Sequence, residues 1–104
     1  MKYALPTEDG TVVGKVFGRA GSFAIYDDAD GSMTIMQNGG GGAEHGAGTG
    51  ASALLVDKGI GAVIAPEVGP KAAGVLQAAG VAIGHAEPGT ELKKAVELFI
   101  AQSR

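Results

Sequence analysis

The sequence has no cysteine and no tryptophan, and aromatic residues make up only 5% of its 104 residues. Without thiolates, the chain cannot by itself form a disulfide bond or a thiolate-ligated zinc or iron–sulfur site. Because aromatic side chains are scarce, the core must be built from Ala, Val, Ile and Leu, and the apolar fraction of 45% is sufficient for one core. The length predicts a single domain spanning residues 1–104.

Positive charge and long apolar runs are also scarce. Eight Lys and Arg residues are outnumbered by eleven Asp and Glu, which gives a net charge of −3 and a pI near 5.2. This balance argues against nucleic acid or an anionic membrane as a partner, since either needs a basic patch. No apolar run approaches the ~18 residues of a membrane-spanning helix, and no signal-peptide core follows Met1. We therefore expect a cytoplasmic protein with no nucleic-acid or membrane partner.

Glycine, in contrast, is abundant: the chain has 19 glycines, well above the usual share of about 7%. Many of them lie in residues 38–50, called the glycine-rich stretch below, which also contains His45. The stretch precedes a predicted helix, so it brings bare backbone to a helix N-terminus, where unpaired N–H groups and the helix dipole favour an anion. The alternative interpretation is a flexible linker.

Apolar periodicity predicts five main strands and three helices. The predicted strands are residues 2–5, 23–27, 33–37, 62–65 and 81–84, with residues 11–17 as a short or irregular strand. The turn at residues 28–32, rich in Asp and ending in Gly-Ser, predicts a hairpin between the second and third main strands. The predicted helices are residues 51–58, ended by Gly59 or Gly61; a segment from Gly69-Pro70 to Gly80; and a C-terminal segment with Thr90 as its N-cap.

This order predicts an α/β fold with a mixed five-stranded sheet, in which an antiparallel meander is followed by β-α-β units. If the later strands run parallel to the first, the carboxyl ends of several strands meet at one edge. That edge collects Thr7, Glu8, residues 17–19, the glycine-rich stretch with His45, residues 67–71 and His85. Ligands of open α/β sheets bind in the crevice beyond the strand carboxyl ends, so we predict binding there.

A set of short motifs extends along nearly the whole chain. The motifs are Phe17-Gly18-Arg19-Ala20, residues 23–27, His45-Gly46-Ala47-Gly48, Gly69-Pro70-Lys71-Ala72, and Leu76 with Ala79-Gly80-Val81. In this order and spacing the set resembles the dinitrogenase iron–molybdenum cofactor biosynthesis family, the type of NifX, NafY and the C-terminal domain of NifB. The resemblance implies a ribonuclease-H-like three-layer fold and a role in nitrogen fixation. It also implies binding of an iron–molybdenum or iron–sulfur cluster rather than catalysis.

This chain departs from the family at one position. The family usually has a His directly before Phe-Gly, as the suspected cofactor ligand, and here that position is Val16. The resemblance and the predicted edge together give the candidate cofactor-binding residues Phe17, Gly18, Arg19, His45, Gly46, Gly48, Gly69 and Lys71. Of these, His45 is the candidate metal ligand, because neutral imidazole is a common donor to iron; the alternative is a surface histidine.

The other charged candidates each have two interpretations. Arg19 can bind an anion through its planar guanidinium or pair with a carboxylate such as Asp27. Lys71, at a helix start where the dipole disfavours a cation, indicates anion contact or is simply solvated. His85 and Glu67 are candidate ligands or ordinary surface residues.

Enzymatic chemistry has little support in the sequence. Asp27, Asp28 and Asp30 could suggest a two-metal site, but in a hairpin turn such residues usually bind backbone N–H groups. The strand at residues 2–5 carries no carboxylate, which argues against a nuclease, and no catalytic triad, P-loop or paired-His motif is present. We therefore predict a non-catalytic carrier of an anionic metallocluster. It would be monomeric or weakly oligomeric, with a nitrogenase-related or iron–sulfur protein as partner. The alternative is a metal-free interaction or regulatory module acting with an iron–sulfur or nucleotide-binding protein, and an enzyme acting on a phosphorylated small molecule has the least support.

Overall fold

The structure is a computed structural model that describes residues 1–38 and 47–102. Its elements in chain order are β1 (Lys2–Thr7), β2 (Ser22–Asp27), β3 (Ser32–Gln37), α1 (Ala47–Asp57), β4 (Ala62–Ala65), α2 (Pro70–Ala78), β5 (Ala82–His85) and α3 (Leu92–Gln102). This is the predicted order of a hairpin followed by β-α-β units. Among the helices described, none is long and apolar enough to cross a membrane.

The strands form one five-stranded sheet in the order β3-β2-β1-β4-β5. β2 pairs antiparallel with both β1 and β3, whereas β4 pairs parallel with β1 and β5. The decisive contact is between β1 and β4, where Tyr3 pairs with Ala62 and Ala4 with Val63. It confirms the predicted mixed sheet and places the carboxyl ends of β1, β3, β4 and β5, together with the start of β2, at one edge. We call this the carboxyl edge and the opposite one the amino edge.

Helices cover both faces of the sheet, which confirms the three-layer arrangement. Along β1 successive side chains point to opposite faces, so Ala4 joins one core cluster while Tyr3 and Leu5 join the other. The first cluster is completed by residues of α1 and α2, such as Leu55 and Leu76. The second is completed by α3, and its buried members there are Leu92, Ala95 and Val96.

Glycine ends α1 and α2 in the same way. Gly59 follows α1 with φ +76 and Gly80 follows α2 with φ +79, a conformation that costs glycine little. After α1, the Ile60 N–H donates to the Leu55 carbonyl at 3.2 Å and the Gly59 N–H to the Val56 carbonyl at 3.0 Å. This pair of bonds is the Schellman motif, and of the two predicted stop residues, Gly59 is the one that ends α1.

The main departure from prediction is residues 11–17, which do not form a strand. Val12 makes only an isolated bridge to Glu91, and the Val13 N–H donates to the Thr90 carbonyl at 2.8 Å. At Gly14 the chain turns back to β1, where the Gly14 N–H donates to the Pro6 carbonyl at 2.7 Å. The segment therefore links β1 to the start of α3 and does not join the sheet.

Several element ends also differ from prediction, most of all the start of α1, which begins at Ala47 rather than at residue 51. Thr90 is not the side-chain N-cap of α3, because its hydroxyl donates to the Glu87 carbonyl at 2.7 Å and the helix begins at Leu92. β1 extends through Pro6 and Thr7, beyond the predicted stop. Proline fits there because, by strand alternation, the Pro6 nitrogen points away from β2, so no hydrogen bond to β2 is lost.

Candidate functional site

The carboxyl edge brings together segments that are far apart in the sequence. Glu8 follows β1, Gly21 precedes β2, Asn38 follows β3, Glu67 follows β4, and His85 ends β5. This is the convergence that the strand order predicted. His45 and Gly46, two of the predicted site residues, lie outside the described residues, as do residues 39–44 of the glycine-rich stretch.

Asn38 fixes the loop that carries Arg19. Its side-chain amide donates to the carbonyls of Gly18 at 3.0 Å and Ala20 at 2.9 Å, and its backbone N–H donates to the Gly21 carbonyl at 3.2 Å. These bonds hold the peptide on both sides of residue 19, so the exposed Arg19 side chain projects from an anchored backbone. Asn38 was not singled out from the sequence; the only available signal was a polar residue directly after a strand.

Glu8 supports the same loop from the other side. Both oxygens of its carboxylate accept from the Gly21 N–H, at 3.1 and 3.2 Å. The approach is close, since a Cβ added at Gly21 would lie 2.8 Å from Glu8 Oε2. Glycine at this position therefore permits the contact that ties the end of β1 to the start of β2.

Of the predicted residues 17–19, only Arg19 is fully exposed. The Phe17 side chain is 3% exposed and packs on Phe23 with the ring centroids 5.4 Å apart. The Phe17 ring therefore anchors the loop in the core. Gly18, between Phe17 and Arg19, is half-buried. Arg19 does not pair with Asp27, which lies at the other end of β2. This loop presents an exposed guanidinium that has no carboxylate partner among the described residues, on a backbone that is hydrogen-bonded on both sides.

Two helix N-termini lie at the carboxyl edge beside this loop. α1 and α2 pack against each other, and the buried Ser52 hydroxyl in the middle of α1 donates to the Ala72 carbonyl in the first turn of α2 at 3.3 Å. Neither helix has an acidic residue in its first turn, and the N-cap residue of α2, Gly69, makes no side-chain capping bond. At the start of α2, the backbone N–H groups of Lys71 and Ala72 have no capping side chain among the described residues, and both helix dipoles favour negative charge in front of them. Gly48 lies in the first turn of α1.

Lys71 stands in the first turn of α2 and is exposed. Among the described residues, neither Lys71 nor Arg19 has a carboxylate partner within ion-pair distance. A cation at a helix start is opposed by the dipole, and an anion bound in front of α2 would relieve that repulsion. Backbone donors and unpaired cations at one edge can bind an anion without any catalytic group.

A groove of about 660 Å³ adjoins the loop and was not predicted from the sequence. Its walls are mostly apolar, and the lining residues are Glu8, Asp9, Val12, Val13, Gly14, Lys15, Val16, Pro88 and Gly89. Val16, which occupies the position of the family histidine, is 49% exposed here. The groove exists because residues 11–17 leave the sheet to contact the start of α3, an arrangement that periodicity could not reveal.

The remaining charged candidates have other roles or neighbours. His85 is a surface residue with its Nε2 3.3 Å from Glu87 Oε1, and Glu67 is exposed. At the amino edge, Asp27 accepts from the Ala29 N–H at 3.0 Å and Asp30 from the Ser32 N–H at 2.9 Å. These bonds confirm the turn interpretation of the aspartates. Within residues 1–38 and 47–102, no three His, Cys, Asp or Glu side chains are grouped as metal ligands.

Comparison with known proteins bears on what this edge binds. A sequence profile of the family described as dinitrogenase iron–molybdenum cofactor matches residues 1–102. An uncharacterised protein of Methanocaldococcus jannaschii is 31% identical over 103 residues, which are 96% of this chain and 86% of the relative.

Two solved structures are similar in both fold and sequence. The apo form of the orange protein of Desulfovibrio gigas superposes with a TM-score of 0.88 at 33% identity, covering 97% of this chain and 88% of the other. A protein of Thermotoga described as a putative NifB protein of the DUF35 family superposes with a TM-score of 0.77 at 33% identity, covering 96% and 87%.

Proposed function

The chain belongs to the dinitrogenase iron–molybdenum cofactor family, and from this membership and the carboxyl edge we propose that it is a non-catalytic cytoplasmic carrier of an anionic metal–sulfur cluster. The cluster would be of the iron–molybdenum or iron–sulfur type. Membership confirms the resemblance drawn from the sequence motifs and supports an accessory role in cofactor biosynthesis. The similarity to a putative NifB protein supports the same role.

One observation carries the proposal: α1 and α2, which pack against each other, both begin at the carboxyl edge, and neither has a carboxylate in its first turn. Partial positive charge at both starts, together with the Arg19 guanidinium and the Lys71 ammonium, favours a polyanion. We therefore expect a metal–sulfur cluster that carries several negative charges to be favoured over an anion of single charge.

The donor set fits a carrier better than a permanent cofactor site. The described residues hold no chelating group of three side chains, and His45 is the only predicted soft donor. The chain would therefore hold the cluster by backbone donors and cations, with at most one imidazole ligand. Such binding is weak and reversible, which suits a domain that passes its cargo to a nitrogenase-related or iron–sulfur partner.

Anaerobic titration tests the proposal. Adding isolated iron–molybdenum cofactor or a synthetic iron–sulfur cluster should change the cluster's visible absorption, and Arg19→Ala with Lys71→Ala should weaken binding about tenfold. The matched control is Lys93→Ala with Lys94→Ala, two exposed lysines on α3, which should leave affinity within about twofold. His45→Ala should lower affinity further if the imidazole is a ligand. Absence of any spectral change, or equal losses in both pairs, would refute the carrier role.

The groove favours a second candidate, a metal-free interaction module. Val16 is half-exposed where the family usually has histidine, and it lies in a largely apolar groove next to the Arg19 loop. An apolar segment of an iron–sulfur or nucleotide-binding protein would fit such a wall. Val16→Lys should abolish this association and leave cluster binding intact. A cluster-independent complex that Val16→Lys disrupts, with no cluster binding, would favour this candidate.

A further inference from the structure

β3 is an edge strand with an unpaired side. It pairs with β2 over all six residues, and in the described part of the chain no strand lies beyond it. The Asn38 N–H donates to the Gly21 carbonyl, so residue 38 faces β2. Because residues of an antiparallel strand alternate in direction, Met33, Ile35 and Gln37 direct their N–H and C=O groups away from the sheet.

The outer side of β3 lacks the features that usually prevent an edge strand from pairing with another strand. Its sequence, Ser-Met-Thr-Ile-Met-Gln, contains no charge and no proline, and its unbroken register with β2 contains no bulge. Ile35 at its centre is 49% exposed. The other edge strand, β5, is only four residues long and contains Gly84, which makes it a poorer template.

We propose that β3 pairs with β3 of a second copy of this chain, antiparallel about a two-fold axis at Ile35. In this register Ile35 lies opposite Ile35 of the second copy, and Met33 lies opposite Gln37. Each of these pairs exchanges two backbone hydrogen bonds through the groups that point outward. The interface is isologous, so pairing stops at the dimer, whereas pairing of β3 with β5 would continue into a filament.

Charge complementarity at the ends of the strand selects a second copy as the occupant. The turn before β3 carries the exposed Asp30, and Asn38 after β3 holds the loop with the exposed Arg19. The antiparallel register brings the Asp30 end of each copy to the Arg19 end of the other. The two-fold axis repeats this attraction at both ends, and the centre of the strand adds no repulsion because it is uncharged.

The dimer is weak because the contact is small. A six-residue strand is about 20 Å long, so the pair buries less than the roughly 1,200 Å² typical of stable complexes. Dimers should therefore form at high protein concentration and dissociate on dilution. Cluster binding by the proposed function is not required for pairing.

Sedimentation equilibrium from about 10 μM to about 1 mM tests the proposal, since this range spans weak dimers. Ile35→Lys places two like charges opposite each other and should raise the dimer dissociation constant at least about tenfold. The matched control is Leu98→Lys, an apolar residue on α3 with 48% exposure against 49% for Ile35. It should change the constant by less than about twofold. Asp30→Asn keeps the oxygen that accepts the Ser32 N–H but removes the end charge, so dimerisation should weaken by a smaller factor.

Amide hydrogen exchange gives a second readout that does not depend on a folded variant. Raising the protein concentration should slow exchange at Met33, Ile35 and Gln37, while Thr34 and Met36, already bonded to β2, should change little. A monomer throughout the concentration range would overturn the proposal, and so would equal effects of Ile35→Lys and Leu98→Lys. Pairing of β3 with an extended peptide of another protein, while the chain itself stays monomeric, would also overturn it.

Discussion

The amino edge and the carboxyl edge of the sheet differ in whether their charged side chains have hydrogen-bond partners. At the amino edge the carboxylates of the hairpin turn accept hydrogen bonds: Asp27 and Asp30 accept from backbone N–H groups, and Asp28 accepts from the Met1 ammonium at 2.7 Å. At the carboxyl edge Glu8 is occupied in a similar way, but Arg19 and Lys71 are exposed without carboxylate partners among the described residues. The difference shows that local hydrogen bonding, rather than charge count, decides which charged side chains remain exposed without a carboxylate partner among the described residues.

Among the described residues, the aspartates of the amino edge are not grouped as metal ligands, although they lie close together in the sequence. Each carboxylate is directed to the nearest backbone donor within two residues or to the chain's first residue. Converging on an ion would require those bonds to break. At the carboxyl edge the side-chain bonds of Asn38 and Glu8 hold backbone in place, and Arg19 and Lys71 have no carboxylate partner in the part of the chain that the structure describes.

The strongest test of the carboxyl edge removes its anchor. Phe17→Ala deletes a ring that is 3% exposed and packed on Phe23, so we expect a loss of about 3 kcal/mol in the free energy of unfolding. Urea denaturation measures it, with Phe17→Leu as the milder comparison. If the variant keeps full stability but loses cluster affinity, Phe17 is a ligand contact and its assignment as an anchor is wrong.

Asn38→Ala should have the next largest effect. It removes two side-chain hydrogen bonds and leaves the Gly18 and Ala20 carbonyls without that donor, which should cost about 2 kcal/mol. The Arg19 loop should also become more mobile, and cluster affinity in the anaerobic titration should fall with it. Asn38→Asp serves as the comparison, since a carboxylate accepts but cannot donate to these carbonyls. Unchanged loop dynamics by NMR would contradict the claim that the Asn38 side chain holds the Arg19 loop.

A smaller effect is expected from Gly21→Ala, which forces the Glu8 carboxylate to move. The added Cβ would lie 2.8 Å from Glu8 Oε2, and because that side chain is flexible the cost should be about 1 kcal/mol. In a Glu8→Ala background the added Cβ meets no carboxylate, so Gly21→Ala should lower the free energy of unfolding clearly less. A double-mutant cycle by chemical denaturation measures this coupling. Additive losses would show that the two residues do not interact.

The smallest expected effect is the pH response of the amino edge. The hydrogen bond from the Ser32 backbone N–H lowers the pKa of Asp30 below its ordinary value of 3.8. The native state therefore binds fewer protons than the unfolded state. The resulting stabilisation is complete above about pH 4 and is lost as the pH falls through the lowered pKa. Asp30→Asn should reduce the slope of stability against pH below 4 and leave it unchanged near pH 7. An identical slope in thermal unfolding of both proteins would contradict this assignment.

Much of the fold followed from patterns that are local in the chain. The aspartate-rich turn predicted the hairpin, because Asp carboxylates bind neighbouring N–H groups and Gly31 adopts a positive φ of 73. Gly59 and Gly80 end their helices for an equally local reason. The parallel pairing of β1 with β4 was an assumption of the predicted strand order, and the structure confirms it.

The candidate site was only partly predictable. The assumed strand order is confirmed and places the predicted segments at the carboxyl edge, and the family resemblance was confirmed by the match to residues 1–102. The binding roles of Arg19, Gly69 and Lys71 remain predictions, and those of His45 and Gly46 concern positions outside the described residues. The hydrogen bonds of Asn38 to the Arg19 loop and the groove that contains Val16 did not follow from the sequence. Each is formed by segments that are separated by many residues.

The sequence by itself determined which segments become strands and helices, where most of them end and to which family the chain belongs, because these depend on side-chain periodicity, backbone preference and short motifs. Only the tertiary structure decided that residues 11–17 stay outside the sheet and that the Phe17 ring packs in the core. It also decided that Asn38 and Glu8 hold the Arg19 loop and that the outer side of β3 is unpaired among the described residues. These features depend on contacts between distant segments. Such contacts form only when the chain folds and brings distant segments together, and no local sequence pattern encodes them.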